Sequence, residues 1–120
     1  MQENFIMNSF DDTFSSEEGD KMTLSVPLQR GIYAKGWESP TQVQKASIIP
    51  LAMGRDAIIQ AQSGMGKTGA FVIGSMSRIN WSLPYVQVLI LAPTMPLVQQ
   101  TGKVVQEVGR FCPQKGDQDK

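Results

Sequence analysis

The sequence contains no histidine, a single cysteine and no excess of either charge. Histidine is the most common general base and the most common metal ligand in proteins, so any chemistry must rest on carboxylates, lysines and hydroxyls. The lone Cys112 cannot form an internal disulfide, which is typical of a reducing compartment. Lysines and arginines number 11, as do aspartates and glutamates. No overall basic surface therefore indicates nucleic acid, although a local groove can still bind phosphates.

Long apolar runs are also missing. No stretch approaches the roughly 20 apolar residues needed to span a bilayer, and residues 1–4 lack the charged and apolar regions of a secretory signal. We therefore expect no membrane association and a cytoplasmic location, with the nucleus as the alternative. At 120 residues the chain is one small domain or part of a larger one.

The sequence does contain a glycine-rich phosphate-binding motif, Ala61-Gln62-Ser63-Gly64-Met65-Gly66-Lys67-Thr68. It follows the apolar run 57–59 and precedes a stretch compatible with a helix. In that context, backbone N–H groups and a helix N terminus surround nucleotide phosphates. Lys67 would reach the outer phosphates, and the Thr68 hydroxyl would ligate Mg²⁺. The strict pattern begins with glycine rather than alanine, so the relaxed form is accepted; the alternative is a glycine-rich turn with a solvated lysine.

Capping residues and apolar spacing predict an α/β fold. Helices are expected over Val26 to Lys35, Gln42 to Ile49, Lys67 to about Ile79, and a stretch containing Leu97 and Val108. Strands are expected at residues 57–61 and 86–91. The second strand is apolar on both faces from Val88 on, which is typical of an inner strand of a parallel sheet. The fold class predicted is a partial doubly wound parallel sheet.

We divide the chain into three segments. Residues 1–23 form a flexible acidic N-terminal arm, with Phe5, Phe10 and Phe14 as its anchors on the core. Residues 24–112 form a partial nucleotide-binding domain, and residues 113–120 form a polar tail. Two parallel strands leave open edges and too little core, so we expect either a portion of a larger domain or a chain that needs a partner to fold well.

Three segments resemble motifs of DEAD-box RNA helicases. Residues 36–44 (GWESPTQVQ) resemble the Q motif, whose region we place at about 24–45. Residues 61–68 resemble motif I, and residues 92–100 (APTMPLVQQ) resemble motif Ia. Residues 28–36 (LQRGIYAKG) are similar to the eukaryotic translation initiation factor 4A branch. The resemblance covers roughly residues 22–109 and implies the N-terminal portion of a RecA-like P-loop domain.

The resemblance implies ATP and Mg²⁺ as cofactors and assigns roles to individual residues. Gln44 would hydrogen-bond the adenine edge, and residues 61–68 would hold the phosphates, with Thr68 on the Mg²⁺. Trp37 takes the usual phenylalanine position of the Q motif; it either touches the nucleotide or serves as a packing anchor. The residues implied to touch the RNA backbone are Pro93, Thr94 and Met95.

Several positions depart from the family pattern. Motif Ia reads Pro-Thr-Arg-Glu-Leu in the family, and here Met95 and Pro96 replace the arginine and glutamate. Losing that arginine should weaken RNA binding, whereas proline is tolerated in a first helical turn. Met65 replaces a small polar residue, and Gly69 replaces a better helix former. The Asp-Glu-Ala-Asp motif is absent from these 120 residues, so we expect the chain alone to hydrolyse no ATP.

Three interpretations follow from these observations. The first is ATP binding within an ATP-dependent RNA helicase, a hydrolase that acts in translation initiation. Its partners would be ATP, the RNA backbone and scaffold proteins of initiation. The RNA backbone would be bound weakly or not at all by this chain. The second is a catalytically inactive fragment that binds a nucleotide or a protein partner. The third is an unrelated P-loop enzyme such as a small kinase, against which Gln44 and Pro93-Thr94 argue.

Overall fold

The structure, a computed structural model, describes residues 6–15, 19 and 21–113. Its regular elements are a short hairpin and four helices: β1 (Phe14–Ser15), β2 (Lys21–Met22), α1 (Val26–Ala34), α2 (Gln42–Ala52), α3 (Lys67–Met76) and α4 (Met95–Val108). No helix in this described part of the chain is long and apolar enough to cross a membrane. Most helix ends lie where local sequence signals predict them. The segments expected to be strands do not form strands among the described residues.

Helix α1 confirms its predicted signals. The Ser25 hydroxyl caps it by accepting a hydrogen bond from the backbone N–H of Leu28 at 3.4 Å. Proline in the first turn costs no hydrogen bond, because that N–H has no partner within the helix. Gly36 follows the helix with a φ of 94°, a left-handed conformation that favours glycine. The serine and the proline mark the start of the helix, and the glycine marks its end, close to the predicted range Val26 to Lys35.

Helix α2 continues past the proline that was expected to end it. We predicted an end or a kink at Pro50, but the helix runs to Ala52 with Pro50 inside it. Proline removes only its own bond to the carbonyl of Ala46, and Ala46 lies on the exposed side of the helix. The end is closed by bonds from Met53 N to Ile49 O at 2.9 Å and from Arg55 N to the proline carbonyl at 3.0 Å. The predicted boundary was therefore wrong.

Helix α3 starts at Lys67 as predicted and ends at Met76, before the expected Ile79. Its last turn tightens, because Arg78 N donates to Ser75 O and Ile79 N donates to Met76 O, both three residues back. The Ser77 hydroxyl also donates to the Gly74 carbonyl at 2.6 Å. These short-range bonds replace the helical ladder and stop the helix.

The two predicted strands are not formed in the described residues. Residues 57–61 and 86–91 carry no ladder pairing, and the one sheet found among the described residues is the antiparallel pair β1–β2. Ile58 is 92% exposed and Leu89 is 78% exposed, although both were expected to be buried. Strand structure depends on hydrogen bonds to a neighbour. These segments have the composition of inner strands, but no described segment pairs with them in a ladder.

The core lies where the four helices and the N-terminal segment meet. Helices α2 and α3 are in close contact at Gly74, where a β-carbon would lie 2.6 Å from Leu51 Cβ. Glycine therefore fits here because the neighbouring helix occupies the space, despite its cost in a helix. The buried apolar side chains are Met7, Phe10, Phe14, Leu24, Leu28, Ile32, Ile48, Ile49, Ala52, Val72, Ile73, Met76, Val108 and Cys112.

The N-terminal segment is part of this core rather than a separate arm. Phe10 is fully buried and its ring meets Tyr33 edge-on at 6.0 Å, and Phe14 is also buried. The backbone N–H of Met7 donates to the carbonyl of Lys45 in α2 at 3.0 Å. The expected anchors Phe10 and Phe14 are therefore confirmed. Residues 6–15 pack on the core, whereas we expected a flexible arm there. The third anchor, Phe5, lies outside the described residues, and so does most of the tail 113–120.

Candidate nucleotide-binding site

The predicted phosphate-binding loop is an exposed turn that leads into α3. Its glycines, Gly64 and Gly66, have φ values of 85° and 79°. Both conformations are left-handed and unfavourable for residues with a β-carbon. A β-carbon at Gly64 would meet nothing within 4 Å, whereas one at Gly66 would lie 2.8 Å from Gln44 Nε2. The first glycine therefore serves the turn, and the second also permits close approach to α2.

The N terminus of α3 is the helix start without a side-chain cap. Ser25, Thr41 and Thr94 each cap their helix through a hydroxyl, but α3 begins at Gly66 with no side-chain hydrogen bond. The first N–H groups of a helix have no partner within it, and they carry partial positive charge. At α3 these donors are left to a ligand, which fits an anion such as a phosphate.

Helix α2 holds the loop from behind. The Thr41 hydroxyl donates to the carbonyl of Met65 at 2.9 Å, and Gln44 Nε2 donates to the carbonyl of Gly66 at 3.2 Å. Two consecutive carbonyls are thus drawn toward α2, so they cannot turn toward a phosphate and repel it. The loop contact of Thr41 was not predicted from the sequence. Its signal was the Thr-x-x-Gln capping box that opens α2.

Gln44 is buried, with 2% of its surface exposed. Besides its bond to Gly66, its Oε1 accepts a hydrogen bond from the backbone N–H of Thr41 at 3.0 Å. A carboxamide has two N–H donors and two acceptor positions on its oxygen. One donor and one acceptor position are therefore used to fix the group, and one of each remains.

Lys67 and the other loop residues lie at the surface. Lys67 is exposed, and its Nζ donates to the carbonyl of Ala61 at 3.3 Å, so the side chain folds back over the loop. Met65 is 40% exposed, Gln62 and Ser63 are exposed, and Thr68 is half-buried in the first turn of α3. The loop thus presents its lysine and backbone to solvent.

Trp37 is half-buried behind the first turn of α3. Its indole ring edge faces Gly69, where a β-carbon would lie 2.9 Å from ring atoms Cη2 and Cζ3. The ammonium of Lys35 lies 5.0 Å from the ring centre, a favourable cation–π distance. The packing role considered for this tryptophan is therefore observed. A direct contact with a nucleotide stays a prediction.

The three residues implied to touch RNA stand at the start of a different helix, α4. Pro93, Thr94 and Met95 are all exposed. The Thr94 hydroxyl accepts from the N–H of Leu97 at 3.4 Å and so caps α4. Pro96 falls in the first turn, which confirms that it is tolerated there. The predicted helix over this region is confirmed, with Val108 buried and Leu97 exposed.

Glu107, the one carboxylate between motif Ia and the tail, is committed elsewhere. Its carboxylate lies 2.5 Å from Lys35 Nζ and 3.9 Å from Lys103 Nζ. The hydrogen bond from Lys35 holds the pKa of Glu107 below its ordinary value, the positive charges of both lysines lower it further, and partial desolvation opposes them. The pair joins α1 to α4 and does not serve the phosphate loop. The described residues contain no group of three or more histidine, cysteine, aspartate or glutamate residues that could hold a metal ion.

Comparison with known proteins identifies the family. The protein-family model described as DEAD/DEAH box helicase matches residues 41–118, more than half of the chain. The chain belongs to the DEAD/DEAH box helicase family. It is 47% identical over 106 residues to an ATP-dependent RNA helicase eIF4A of Neurospora crassa, which covers 88% of this chain and 26% of that protein. It is 45% identical over 95 residues to a eukaryotic initiation factor 4A of Caenorhabditis elegans, covering 79% and 24%.

Solved helicase structures confirm the fold class. A variant of Dbp5 from S. cerevisiae, bound to RNA and ADP BeF3, matches with a TM-score of 0.68 and 35% identity. The match covers 88% of this chain and 25% of that one. The chain therefore follows the path of a RecA-like helicase domain even where its strands are unpaired. It spans about a quarter of the length of the relatives that it matches.

Proposed function

We propose that this chain forms the ATP-binding part of an ATP-dependent RNA helicase of the kind that acts in translation initiation. The observation that carries the proposal is the uncapped N terminus of α3 behind a loop with two left-handed glycines. A phosphate would replace the missing cap by accepting from the loop and helix N–H groups. The nucleotide bound to the related Dbp5 variant, ADP BeF3, supports the same class of ligand.

The residues of the loop and of α2 divide the work of binding. Lys67 would exchange its bond to Ala61 for the outer phosphates, and residues 61–66 would supply backbone donors. Thr68 would hold the Mg²⁺ that accompanies the phosphates and, when bound, neutralises part of their charge. The free donor and acceptor of Gln44 match the adjacent acceptor and donor on adenine, whereas guanine presents two acceptors along the corresponding edge.

RNA is the proposed macromolecular partner. Pro93, Thr94 and Met95 are exposed at the N terminus of α4, where backbone N–H groups can meet a phosphate without reading a base. Met95 offers no positive charge there, so the contact is expected to be weak or absent in this chain alone. Scaffold proteins of initiation are further proposed partners. The proposed location is the cytoplasm, with the nucleus as the alternative.

A catalytically inactive nucleotide-binding or partner-binding fragment is the second candidate. It is favoured by the pairing of Glu107 with Lys35, which removes the nearest downstream carboxylate from the phosphate loop. Phosphoryl transfer needs carboxylates that position the metal and water. Under both candidates we expect the 120 residues alone to release no phosphate beyond a Lys67→Ala control, with or without RNA.

The experiment is a titration of the purified chain with a fluorescent ATP analogue in the presence of Mg²⁺. Lys67→Ala should weaken binding about tenfold, because a charged hydrogen bond to a phosphate is worth about 1.5 kcal/mol. Lys103→Ala, which removes an exposed lysine from α4, is the matched control and should bind like the wild type. Equal affinities of the wild type and Lys67→Ala would contradict the proposed site.

A further inference from the structure

Gly69 lies in the first turn of α3, directly behind the phosphate loop, and it is buried. A β-carbon there would lie 2.6 Å from Gln44 Nε2 and 2.9 Å from Trp37 Cη2 and Cζ3. Both distances are shorter than real β-carbon contacts. Glycine is a poor helix former, so its presence in this turn calls for a reason. The reason is that the carboxamide of Gln44 and the edge of the indole together fill the space a side chain would need.

The indole is a rigid neighbour that is itself held in place. Its atoms Cη2 and Cζ3 are at the far edge of the six-membered ring, beyond the reach of a phenylalanine ring at the same position. The ammonium of Lys35 lies 5.0 Å from the ring centre, and Lys35 is in turn paired with Glu107 at 2.5 Å. The tryptophan therefore cannot yield freely, whereas the carboxamide of Gln44 ends a flexible side chain.

We propose that Trp37 and Gly69 act as a matched pair that positions the Gln44 carboxamide and thereby sets the base selectivity of the nucleotide site. The proposal rests on the proposed function, because it gives Gln44 the adenine edge to recognise. Trp37 is a positioning residue here and needs no contact with the nucleotide. The lack of a side chain at Gly69 leaves room for the carboxamide beside the ring edge. The bonds of the carboxamide to Gly66 O at 3.2 Å and from Thr41 N at 3.0 Å fix its orientation.

The orientation of the carboxamide carries the selectivity. The remaining N–H and the remaining oxygen lone pair must point in defined directions to meet the acceptor and donor of adenine together. A side chain at Gly69 would push Nε2 away and break or lengthen the bond to Gly66. One displaced hydrogen bond corresponds to about a fivefold change in affinity. The loss should be larger for ATP than for GTP, because both nucleotides share the loop support at Gly66 but ATP alone uses the original orientation of the carboxamide.

The test compares Gly69→Ala, Trp37→Phe and the double variant with the wild type by competing ATP and GTP, with Mg²⁺, against a fluorescent ATP analogue. Gly69→Ala should lower the ATP-over-GTP preference about fivefold. The double variant should restore the preference to within about twofold of the wild type, because the smaller ring gives the first turn of α3 room to shift and carry the new methyl group away from Gln44. Gly102→Ala is the matched control, since a β-carbon at this glycine of α4 meets nothing within 4 Å, and it should leave the preference unchanged.

Five outcomes would overturn the inference. An unchanged preference in Gly69→Ala, with normal ATP binding by the wild type, would refute it and leave the proposed function intact. Equal losses for ATP and GTP would show that the glycine serves packing alone. If Gly69→Ala fails to fold, the double variant must fold and keep its preference; failure of both, or a double variant without recovery, also refutes the pairing. A wild-type chain that binds no ATP would overturn the proposed function and this inference together.

Discussion

Replacing Gly31 by alanine should destabilise the fold by forcing α1 and α4 apart. Gly31 is buried where the two helices cross, and a β-carbon there would collide with the carbonyl oxygen of Val108 and lie 2.6 Å from its carbonyl carbon. These are backbone atoms of a helix, so they cannot rotate away as the end of a side chain can. The helices must separate to admit the methyl group.

The change in unfolding free energy is the sum of one gain and two losses. Alanine gains about 1 kcal/mol over glycine as a helix former, and an overpacked core typically loses about 1–3 kcal/mol. Separation also uncovers part of Ile32 and Val108, which are both fully buried and are each worth about 1.5–3 kcal/mol when wholly buried. The net loss should be about 2 kcal/mol, which lowers the melting temperature of a chain this size by roughly 8 °C.

The assay is thermal and urea unfolding followed by circular dichroism. Gly102→Ala is the matched control, because its site in α4 is open and it should gain up to about 1 kcal/mol from helix propensity alone. A Gly31→Ala chain as stable as the wild type would refute the close crossing of α1 and α4. So would a gain equal to that of the control.

Two further variants test the loop support and the one strong ion pair. Thr41→Ala should lower stability by about 1 kcal/mol through the lost helix cap, and it should weaken binding of the ATP analogue about fivefold through the lost bond to Met65. Ser25→Ala, which loses only a cap, should leave binding unchanged. Equal binding of the analogue by both variants would contradict the support role of Thr41. Glu107→Gln should be less stable than the wild type in neutral urea unfolding. Because the pKa of Glu107 is lowered in the folded state, the ion pair contributes its full stability at pH values above the ordinary glutamate pKa. That contribution is lost as the pH falls through the lowered pKa of the folded state. The difference between the two proteins should therefore vanish in strong acid, and a difference that persists there would rule out the ion pair as its cause.

Helix starts could be predicted because their signals are local. A hydroxyl at Ser25, Thr41 or Thr94 lies next to the N–H groups it satisfies, and neither the rest of the chain nor a ligand is needed. The strands at 57–61 and 86–91 were predicted from their composition, but they are not formed in the described residues. Their apolar residues describe the environment of a complete sheet, and without neighbouring strands the backbone has no partners to form a ladder.

The site was predictable only in part for the same reason. The loop 61–68 and Gln44 stand out as motifs, and the structure brings them together. The contacts that support the loop join residues far apart in the sequence: Thr41 with Met65, and Trp37 with Gly69. A glycine within a helix signals a close approach, but only the packing shows which side chain approaches.

The central claim is that this chain holds ATP through its phosphate loop and recognises adenine through Gln44. The most direct measurement is Mg²⁺-dependent binding of a fluorescent ATP analogue to the 120-residue chain, competed with unlabelled ATP and GTP. The proposed site predicts that ATP competes about 25-fold better than GTP, since about two hydrogen bonds, each worth about fivefold, distinguish the bases. Gln44→Ala should weaken ATP more than GTP, because both nucleotides lose the loop support at Gly66 but ATP alone loses the contacts to its base. No binding, or equal competition by both nucleotides, would contradict it.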